Sequence, residues 1–252
     1  MFGADSSPQD IVHLAIETTG RLGSVAVLRG QRVIRQTNLD PNRRTAATLA
    51  PEVQDSLRWC QETHQVPAFV SVADGPGSFT GLRIGVTTAK TLGYALDLPL
   101  VSVDSLAAIS AAAMFDRPQL DEMWVVLDAY RRQLFVGQFT RSQLLPSIDE
   151  IAADWTTHPP TVQVLPEDAW WTMLAEMPAE IRLAGDDKPL HALTADPNRQ
   201  ISFTRVEREC DAVGVGSLGL RAAILGRFID PLTLVPRYLK VSAAEEKLIE
   251  RG

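Results

Sequence analysis

The 252-residue sequence has little of what metal centres and disulfide frameworks require. Its two cysteines, Cys60 and Cys210, form no CxxC pair, which is typical of inert thiols in a reducing cytosol. Its four histidines are scattered, and none has a His, Cys or acidic neighbour at a recognised ligand spacing. The sequence therefore predicts neither a metal site nor a cross-linked fold.

Long apolar runs and an excess of positive charge are also absent. No apolar run approaches the ~20 residues that a membrane-spanning helix needs, and the polar N-terminus lacks the pattern of a signal peptide. We therefore expect a cytoplasmic protein that does not bind membranes. The net charge is −7 and the pI about 5.1, whereas nucleic-acid binding depends on Lys and Arg side chains that neutralise phosphates. The chain alone is predicted to be a poor RNA binder.

Apolar strands and amphipathic helices follow one another in a pattern that is partly repeated. The first hundred residues or so read β-β-β-α-β-α-β-α, which is typical of a mixed sheet flanked by helices. The strand pair at 123–139 matches the pair at 12–28 at an offset of 111 residues, and a fainter match links 77–83 with 216–222, each predicted to open a helix. These matches predict a duplicated fold with a more degenerate second copy, and chance similarity of hairpins is the alternative.

The repeat suggests a division of the chain. We predict a first half over residues 11–103, which a C-terminal helix over 211–227 could complete. The second half would span 104–210, and residues 236–252 would form a loose, charged tail.

The most distinctive stretch is GPGSFTGLRIGVTTAKTLGY, residues 75–94, which follows an apolar strand. It matches neither the P-loop nor the G-x-G-x-x-G dinucleotide pattern. Small residues instead recur every four positions, on one face of the predicted helix: Gly77, Gly81, Gly85, Ala89 and Gly93. Since a glycine costs a helix interior ~1 kcal/mol relative to alanine, this stripe needs an explanation. We predict that it lets a partner's backbone approach closely; the alternative is that it seats the helix on its own sheet.

Two acids end predicted strands at equivalent places in the repeat, Glu17 and Asp128. In phosphate-transferring proteins with such a hairpin, an acid at the position of Glu17 holds a magnesium-bound nucleotide. Glu17, Thr18 and Thr19 are therefore candidates for a weak nucleotide contact, although an ordinary solvent-facing acid at a strand end explains Glu17 equally well. No candidate nucleophile has a base nearby in the sequence, so no self-sufficient active site is predicted.

Four segments together resemble the TsaB (YeaZ) family, whose members take part in making threonylcarbamoyladenosine beside the tRNA anticodon. The resemblance runs from about residue 11 to residue 241, and its most specific part is GPGSFTGLRIG. The segments occur in the family's order: LAIETTGRLGSVAVLRG (14–30), GPGSFTGLRIGVTTAK (75–90), VVLDAYRRQLFVGQF (125–139) and PRYLK (236–240).

The resemblance implies a fold and a set of partners. The family has an α/β fold, the duplicated actin-like ATPase (ASKHA, RNase H-like) fold, with two mixed-sheet halves flanked by helices. Its members are non-catalytic scaffold subunits that require no cofactor. They form homodimers in isolation or bind the catalytic subunit TsaD, while TsaE, an ATPase, joins the complex. Contact with tRNA is then expected only through the complex.

The family's partner contacts are made by the two helices of the first half, which correspond here to 43–63 and 78–95. We accordingly expect no catalytic and no metal-binding residues. The alternative function is an actin-like ATPase or small-molecule kinase that uses Glu17 and Asp128 as magnesium-associated carboxylates. A partner interface is predicted at Leu49, Val53, Leu57, Gly77, Gly81, Leu82, Gly85 and Ala89.

Overall fold

A computed structural model describes residues 7–177, 180–195 and 201–240. Within these residues, ten strands form two five-stranded sheets. In the first sheet a meander of three antiparallel strands is extended by two parallel strands, in the order β3-β2-β1-β4-β5. Its strands are β1 (Val12–Glu17), β2 (Ser24–Arg29), β3 (Arg32–Asn38), β4 (Val70–Gly75) and β5 (Leu100–Asp104).

The second sheet repeats this topology. Its strand order is β8-β7-β6-β9-β10, so that β6 to β10 take the places of β1 to β5. The first three strands are again antiparallel, and the fourth and fifth are again added in parallel. The predicted duplication and the α/β fold class, with two mixed-sheet halves flanked by helices, are therefore confirmed. The strands are β6 (Glu122–Asp128), β7 (Gln133–Thr140), β8 (Gln163–Pro166), β9 (Ile181–Gly185) and β10 (Phe203–Arg205).

Seven helices connect the strands of the described residues. In each half one helix directly precedes the fourth strand, one precedes the fifth and one follows it, and the seventh, the short α4, lies between β7 and β8. They are α1 (Thr45–Glu62), α2 (Phe79–Leu96), α3 (Ser105–Asp116), α4 (Arg141–Leu144), α5 (Glu167–Ala175), α6 (Asp187–Ala195) and α7 (Ala212–Ile224).

The fainter sequence match between 77–83 and 216–222 is wrong as a sign of duplication. Residues 77–83 lead into α2, whereas 216–222 lie inside α7, which begins at Ala212. By position in the repeat, α7 corresponds to α3 and α2 corresponds to α6. The shared glycines reflect close packing in both helices and not common descent of the two segments.

The helices bury three apolar layers. Helices α1 and α2 cover one face of the first sheet, and α5 and α6 cover the outer face of the second. Helices α3 and α7 pack on each other between the two sheets, and every residue of α3 from Ser105 to Met114 is buried. A helix that is apolar all round is expected in such a central position.

Helix α7 packs chiefly against the first sheet although it ends the second half in sequence. It contacts strands β1, β2, β4 and β5. This placement is compatible with a first half, 11–103, completed by 211–227; the boundary at 103/104 remains a prediction. No helix within the described residues is long and apolar enough to cross a membrane.

Candidate functional site

The turn after β1 packs directly into the glycine stripe of α2. Thr18 Oγ1 donates a 2.8 Å hydrogen bond to the carbonyl of Gly81, and Ser78 N–H donates one of 2.9 Å to the carbonyl of Thr19. A Cβ atom at Gly81 would overlap the carbonyl oxygen of Thr18, and one at Gly85 would overlap Thr18 Oγ1. Positions 81 and 85 are therefore glycine because the chain's own β1–β2 turn occupies the space that a side chain would need.

The prediction that the stripe faces a partner helix is thus corrected. Gly81, Gly85 and Ala89 are buried against the first sheet and its β1–β2 turn, because these small residues seat α2 on its own sheet. Three further members of the predicted interface, Leu49, Val53 and Leu82, are buried in the same chain. Of that set, Leu57 and Gly77 are partly exposed.

A groove between α1 and α2 offers a different surface. It has a volume of about 570 Å³ and an apolar floor, at which Val53, Leu57 and Leu92 meet. The apolar periodicity of α1 predicted that Val53 and Leu57 share a face. The α2 side of the groove was not predicted, because its threonines are polar and do not contribute to an apolar periodicity. The groove is lined by Ala50, Val53, Gln54, Leu57, Arg58, Gln61, Thr87, Thr88, Thr91 and Leu92.

Glu17 is completely buried at the end of β1, so it is not a solvent-facing acid. Its Oε1 accepts hydrogen bonds from Thr19 Oγ1 (2.6 Å), Gly20 N–H (3.0 Å) and Thr19 N–H, while Oε2 has no partner. Burial raises the pKa of Glu17 to about 7, against the opposing effect of these bonds. The candidate contacts Thr18 and Thr19 are likewise committed to protein groups.

Asp128 is held within the second half and makes no hydrogen bond or ion pair to Glu17. Its carboxylate accepts 2.7 Å and 2.8 Å bonds from Lys188 Nζ and Tyr130 N–H, and its own N–H donates to Asp186. Burial is the main cause that raises the pKa of Asp186. The two acids of the kinase hypothesis are therefore each bound to groups of their own half.

An ionic cluster that the sequence did not reveal lies at the carboxyl ends of β4 and β5. Arg237 donates to the carboxylate of Asp104 and, at 2.8 Å, to the carbonyl of Gly75. His158 Nε2 lies 2.9 Å from Asp74 Oδ1. Asp104 is fully buried, and burial raises its pKa while the nearby guanidinium lowers it. Strands β4 and β5, which carry Asp74 and Asp104 near their carboxyl ends, were visible in the sequence, but the distant Arg237 was not.

Arg237 belongs to a segment that we call the strap, residues 229–240. It follows the first sheet's edge, where Ile229 bridges to Leu100, and passes the end of β4, where Arg237 N–H donates to the carbonyl of Asp74 at 2.8 Å. Lys240 Nζ then reaches the carbonyl of Ala129 in the second half at 3.1 Å. Residues 236–240 of the predicted loose tail are therefore held in place, and 241–252 lie outside the described residues.

Within the described residues, no three His, Cys, Asp or Glu side chains are grouped as metal ligands would be. The ring nitrogens of His158 both have partners, since Nδ1 lies 2.9 Å from Thr157 Oγ1. Burial raises the pKa of Cys210 well above its usual value, so its thiol is a poor nucleophile at neutral pH. The polar groups at the strand ends thus serve mainly to join parts of this chain to one another.

Comparisons with known proteins agree with this arrangement. The family model TsaD, tRNA N6-adenosine threonylcarbamoyltransferase, matches residues 41–216. The tRNA threonylcarbamoyladenosine biosynthesis protein TsaB of Bacillus subtilis is 30% identical, over 94% of this chain and 97% of that protein. The protein of the same name from Haemophilus influenzae is 29% identical over 56% of this chain and 59% of its own length.

A solved structure, YeaZ from Pseudomonas aeruginosa, has the same fold, with a TM-score of 0.68 at 21% identity. The match covers 91% of this chain and 100% of that one. The match to the Bacillus subtilis protein along nearly its whole length is the one that settles the family. This chain belongs to the TsaB (YeaZ) family of glycoprotease-like proteins.

Proposed function

We propose that this chain is a non-catalytic subunit of the machinery that makes threonylcarbamoyladenosine in tRNA. In that role it binds a TsaD-like catalytic subunit and supports transfer of the threonylcarbamoyl group to adenosine. The observation that carries the proposal is the match with the Bacillus subtilis biosynthesis protein over almost the full length of both chains. A TsaE-like ATPase and the tRNA would join through the complex, in the cytoplasm.

The non-catalytic role is supported by the state of the groups that could react. Glu17 is buried under the β1–β2 turn, Asp104 is bound by Arg237, and Asp128 is bound by Lys188. Catalytic groups in a cleft need a free atom within reach of the substrate. Asp104 and Asp128 would each have to lose an ion pair to meet a substrate, and Glu17, whose Oε2 has no hydrogen-bond partner, would first have to be uncovered because it is completely buried.

The α1–α2 groove is the docking surface that we assign to the catalytic subunit. Its apolar floor is surrounded by polar side chains such as Gln54, Gln61 and Thr91. A dry apolar centre with a polar rim is typical of specific protein interfaces. The catalytic subunit is the preferred occupant because the TsaD family model matches residues 41–216, a range that includes both helices of the groove.

Mixing the purified chain with the TsaD-like subunit of the same organism tests the docking. We expect a 1:1 complex by analytical ultracentrifugation. Thr91→Arg places a bulky cation in the groove and should abolish the complex. Thr172→Arg is the matched control: both threonines are exposed on helices and bond back to the carbonyl four residues earlier. Absence of a complex with the wild-type chain, or equal binding by Thr91→Arg, contradicts the assignment.

Hydrolysis of ATP distinguishes the scaffold from the kinase hypothesis. We expect the isolated chain to release no phosphate above a buffer control in the presence of magnesium. Turnover that disappears in Glu17→Gln and in Asp128→Asn, but persists in Glu62→Gln, would replace the scaffold proposal with the kinase hypothesis. Glu62 is an exposed acid at the end of α1 and serves as the control.

A further inference from the structure

Two aromatic rings are exposed where the strap passes the start of α2. Phe79 and Tyr238 are each 45% exposed, and their rings stack with centroids 5.0 Å apart. The guanidinium carbon of Arg83 lies 3.9 Å from the centre of the Phe79 ring, and its Nε donates a 3.0 Å bond to Tyr238 Oη. The stacked pair is therefore fixed in position at the surface, and fixed side chains lose little further freedom on binding.

A third exposed ring stands on the β6–β7 turn. Tyr130, Arg131 and Arg132 have φ angles of 60°, 55° and 59°, in the left-handed region that residues with a side chain rarely adopt. Tyr130 N–H donates a 2.8 Å bond to Asp128 Oδ1, which holds the turn in this conformation. Tyr130 is 70% exposed, so burial of its ring does not compensate for the strain. Strained backbone of this kind is concentrated at functional sites.

The strap brings the turn and the stacked pair together. Lys240 Nζ donates to the carbonyls of Ala129 and Tyr130 at 3.1 Å and 3.4 Å. Tyr238 precedes Lys240 by two residues, which span at most about 7 Å of extended chain. The β6–β7 turn and the stacked pair are therefore neighbours on the surface. We call Phe79, Tyr130 and Tyr238 the aromatic face.

The aromatic face is bordered by cations. Arg83 contacts its rings, and Lys90 lies further along α2; both donate to oxygen atoms of the strap, and neither forms an ion pair within the part of the chain that the structure describes. The acids at the adjoining strand ends, Asp74 and Asp104, are buried and paired within the chain. The surface beside the rings therefore presents cations, in a protein whose net charge is −7.

Exposed aromatic rings beside cations are typical of proteins that bind single-stranded RNA. A nucleobase of any identity can stack on an aromatic side chain, while nearby cations attract the phosphates. In a folded RNA, the unpaired bases of loops are the ones that can be stacked in this way. A face that binds a protein would instead be expected to have a dry apolar centre, such as the apolar floor of the α1–α2 groove.

We propose that the aromatic face stacks on unpaired bases of the tRNA while this chain is bound to the catalytic subunit. The inference rests on the proposed function, from which it takes the tRNA, and it assigns to this chain a direct contact with RNA. Stacking adds to the binding that the catalytic subunit provides but does not overcome a net charge of −7. The isolated chain therefore still binds tRNA weakly.

The complex of this chain with the TsaD-like subunit, titrated with labelled tRNA at physiological salt, tests the aromatic face. Tyr130→Gly removes one ring and suits the left-handed turn, because glycine adopts a positive φ without strain. We expect its melting temperature to be unchanged or higher, while the Kd for tRNA rises about five- to tenfold. Tyr238→Ala should raise the Kd by a similar factor.

Two variants serve as controls. Tyr130→Phe keeps the ring and should bind tRNA like the wild type. Tyr94→Ala is the matched control, because Tyr94 is an exposed tyrosine near the other end of α2. The slope of log Kd against log salt concentration should be the same for Tyr130→Gly as for the wild type, because a lost stack removes no phosphate contact.

Wild-type affinity for tRNA in Tyr130→Gly and Tyr238→Ala would overturn the proposal. Loss of the protein complex in these variants by analytical ultracentrifugation would also overturn it, because the face would then belong to the contact with the catalytic subunit. If Tyr238→Ala melts early, Tyr130→Gly alone decides. A wild-type chain that forms no complex, or a complex that binds no tRNA, contradicts the proposed function itself, and this inference falls with it.

Discussion

At the scale of single residues, Thr18 decides where glycine is required in α2. Its side-chain oxygen fills the space above Gly85, and its carbonyl fills the space above Gly81. The two glycines are therefore required by different atoms of one residue. The side-chain oxygen above Gly85 can be removed by mutating Thr18, whereas the backbone carbonyl above Gly81 is present with any residue at position 18.

Gly85→Ala should destabilise the fold by about 1–3 kcal/mol, because the new methyl group overlaps Thr18 Oγ1 in a packed site. Adding Thr18→Ala removes that oxygen and leaves Thr18 Cβ as the nearest atom, at 3.5 Å. The double variant should therefore lose less stability than the sum of the single changes. Gly81→Ala should not be rescued in this way. Urea unfolding of six proteins, the wild type, the three single variants and the two double variants with Thr18→Ala, measures the difference, and additive losses at Gly85 would contradict the packing argument.

Glu17 makes stability depend on pH. Folding raises its pKa from 4.5 to about 7 because the carboxyl group is buried, so the native state binds its proton more tightly than the unfolded chain. The resulting stabilisation is complete below about pH 4.5 and is lost as the pH rises to 7. At 1.36 kcal/mol per pKa unit, the change amounts to about 3 kcal/mol.

Glu17→Gln should remove this component, so its free energy of unfolding should fall less between pH 4.5 and 7 than that of the wild type. Glutamine keeps an oxygen that can accept the bonds from Thr19 and Gly20. Glu62→Gln changes an exposed acid and should leave the wild-type pH profile unchanged. Parallel profiles for wild type and Glu17→Gln would show that Glu17 does not titrate in this range.

At the scale of secondary-structure elements, the sequence predicts the strands and helices whose apolar pattern and end signals lie within a short stretch of residues. Strands β1 and β2 and their repeat β6 and β7 are apolar runs separated by short turns, and α3 is an unbroken apolar helix behind Asp104, which caps it through Ala107 N–H. Strands β8 and β10 were not predicted, because four and three residues carry too little periodicity.

The candidate site was only partly predictable, because its contacts join distant parts of the chain. The glycine spacing correctly placed Gly81, Gly85 and Ala89 on one face of α2, whereas Gly77 precedes the helix, and the spacing could not say what covers these residues. The strap is irregular, and Arg237 meets Asp104 across 133 positions of sequence. Neither periodicity nor composition carries information about such a pairing.

Arg237 should be a main anchor of the strap. Arg237→Gln leaves the buried Asp104 carboxylate without its cation, and loss of one partner from a buried ion pair typically costs about 3–5 kcal/mol. We expect lower stability in urea and faster hydrogen exchange confined to residues 229–240. Arg205→Gln, which breaks an ion pair at the surface, should cost much less. Unchanged exchange in the strap of Arg237→Gln would show that other contacts hold it.

At the scale of the whole molecule, the two sheets are joined by buried helices and by the strap. Helix α7 returns from the second half to cover the first sheet, and Lys240 ties the strap to the β6–β7 turn. The halves therefore share one apolar layer, formed around α3 and α7. A shared layer of this kind opposes the independent movement of the halves that opens a ligand cleft.

The charge of the whole molecule determines how it meets RNA. A net charge of −7 repels the phosphate backbone, and of the two Arg pairs in the sequence, Arg132 is already paired with Asp168 at 3.1 Å. Since affinity for nucleic acid rises with the number of phosphates neutralised, few neutralised phosphates mean weak binding. The isolated chain should therefore not bind tRNA at micromolar concentration in 150 mM salt (an ionic strength with a Debye length of about 8 Å).

Filter binding of labelled tRNA, alone and with the TsaD-like subunit, checks this expectation. Binding that appears only in the mixture fits a subunit that reaches tRNA through its partner. The remaining exposed pair, Arg43 and Arg44, precedes α1 and is the local patch most able to oppose the overall charge. The isolated chain would contradict this expectation if it bound tRNA at micromolar concentration and Arg43→Glu/Arg44→Glu abolished that binding. The slope of log K against log salt concentration should then fall by the equivalent of about two neutralised phosphates, which would show that this patch outweighs the net charge.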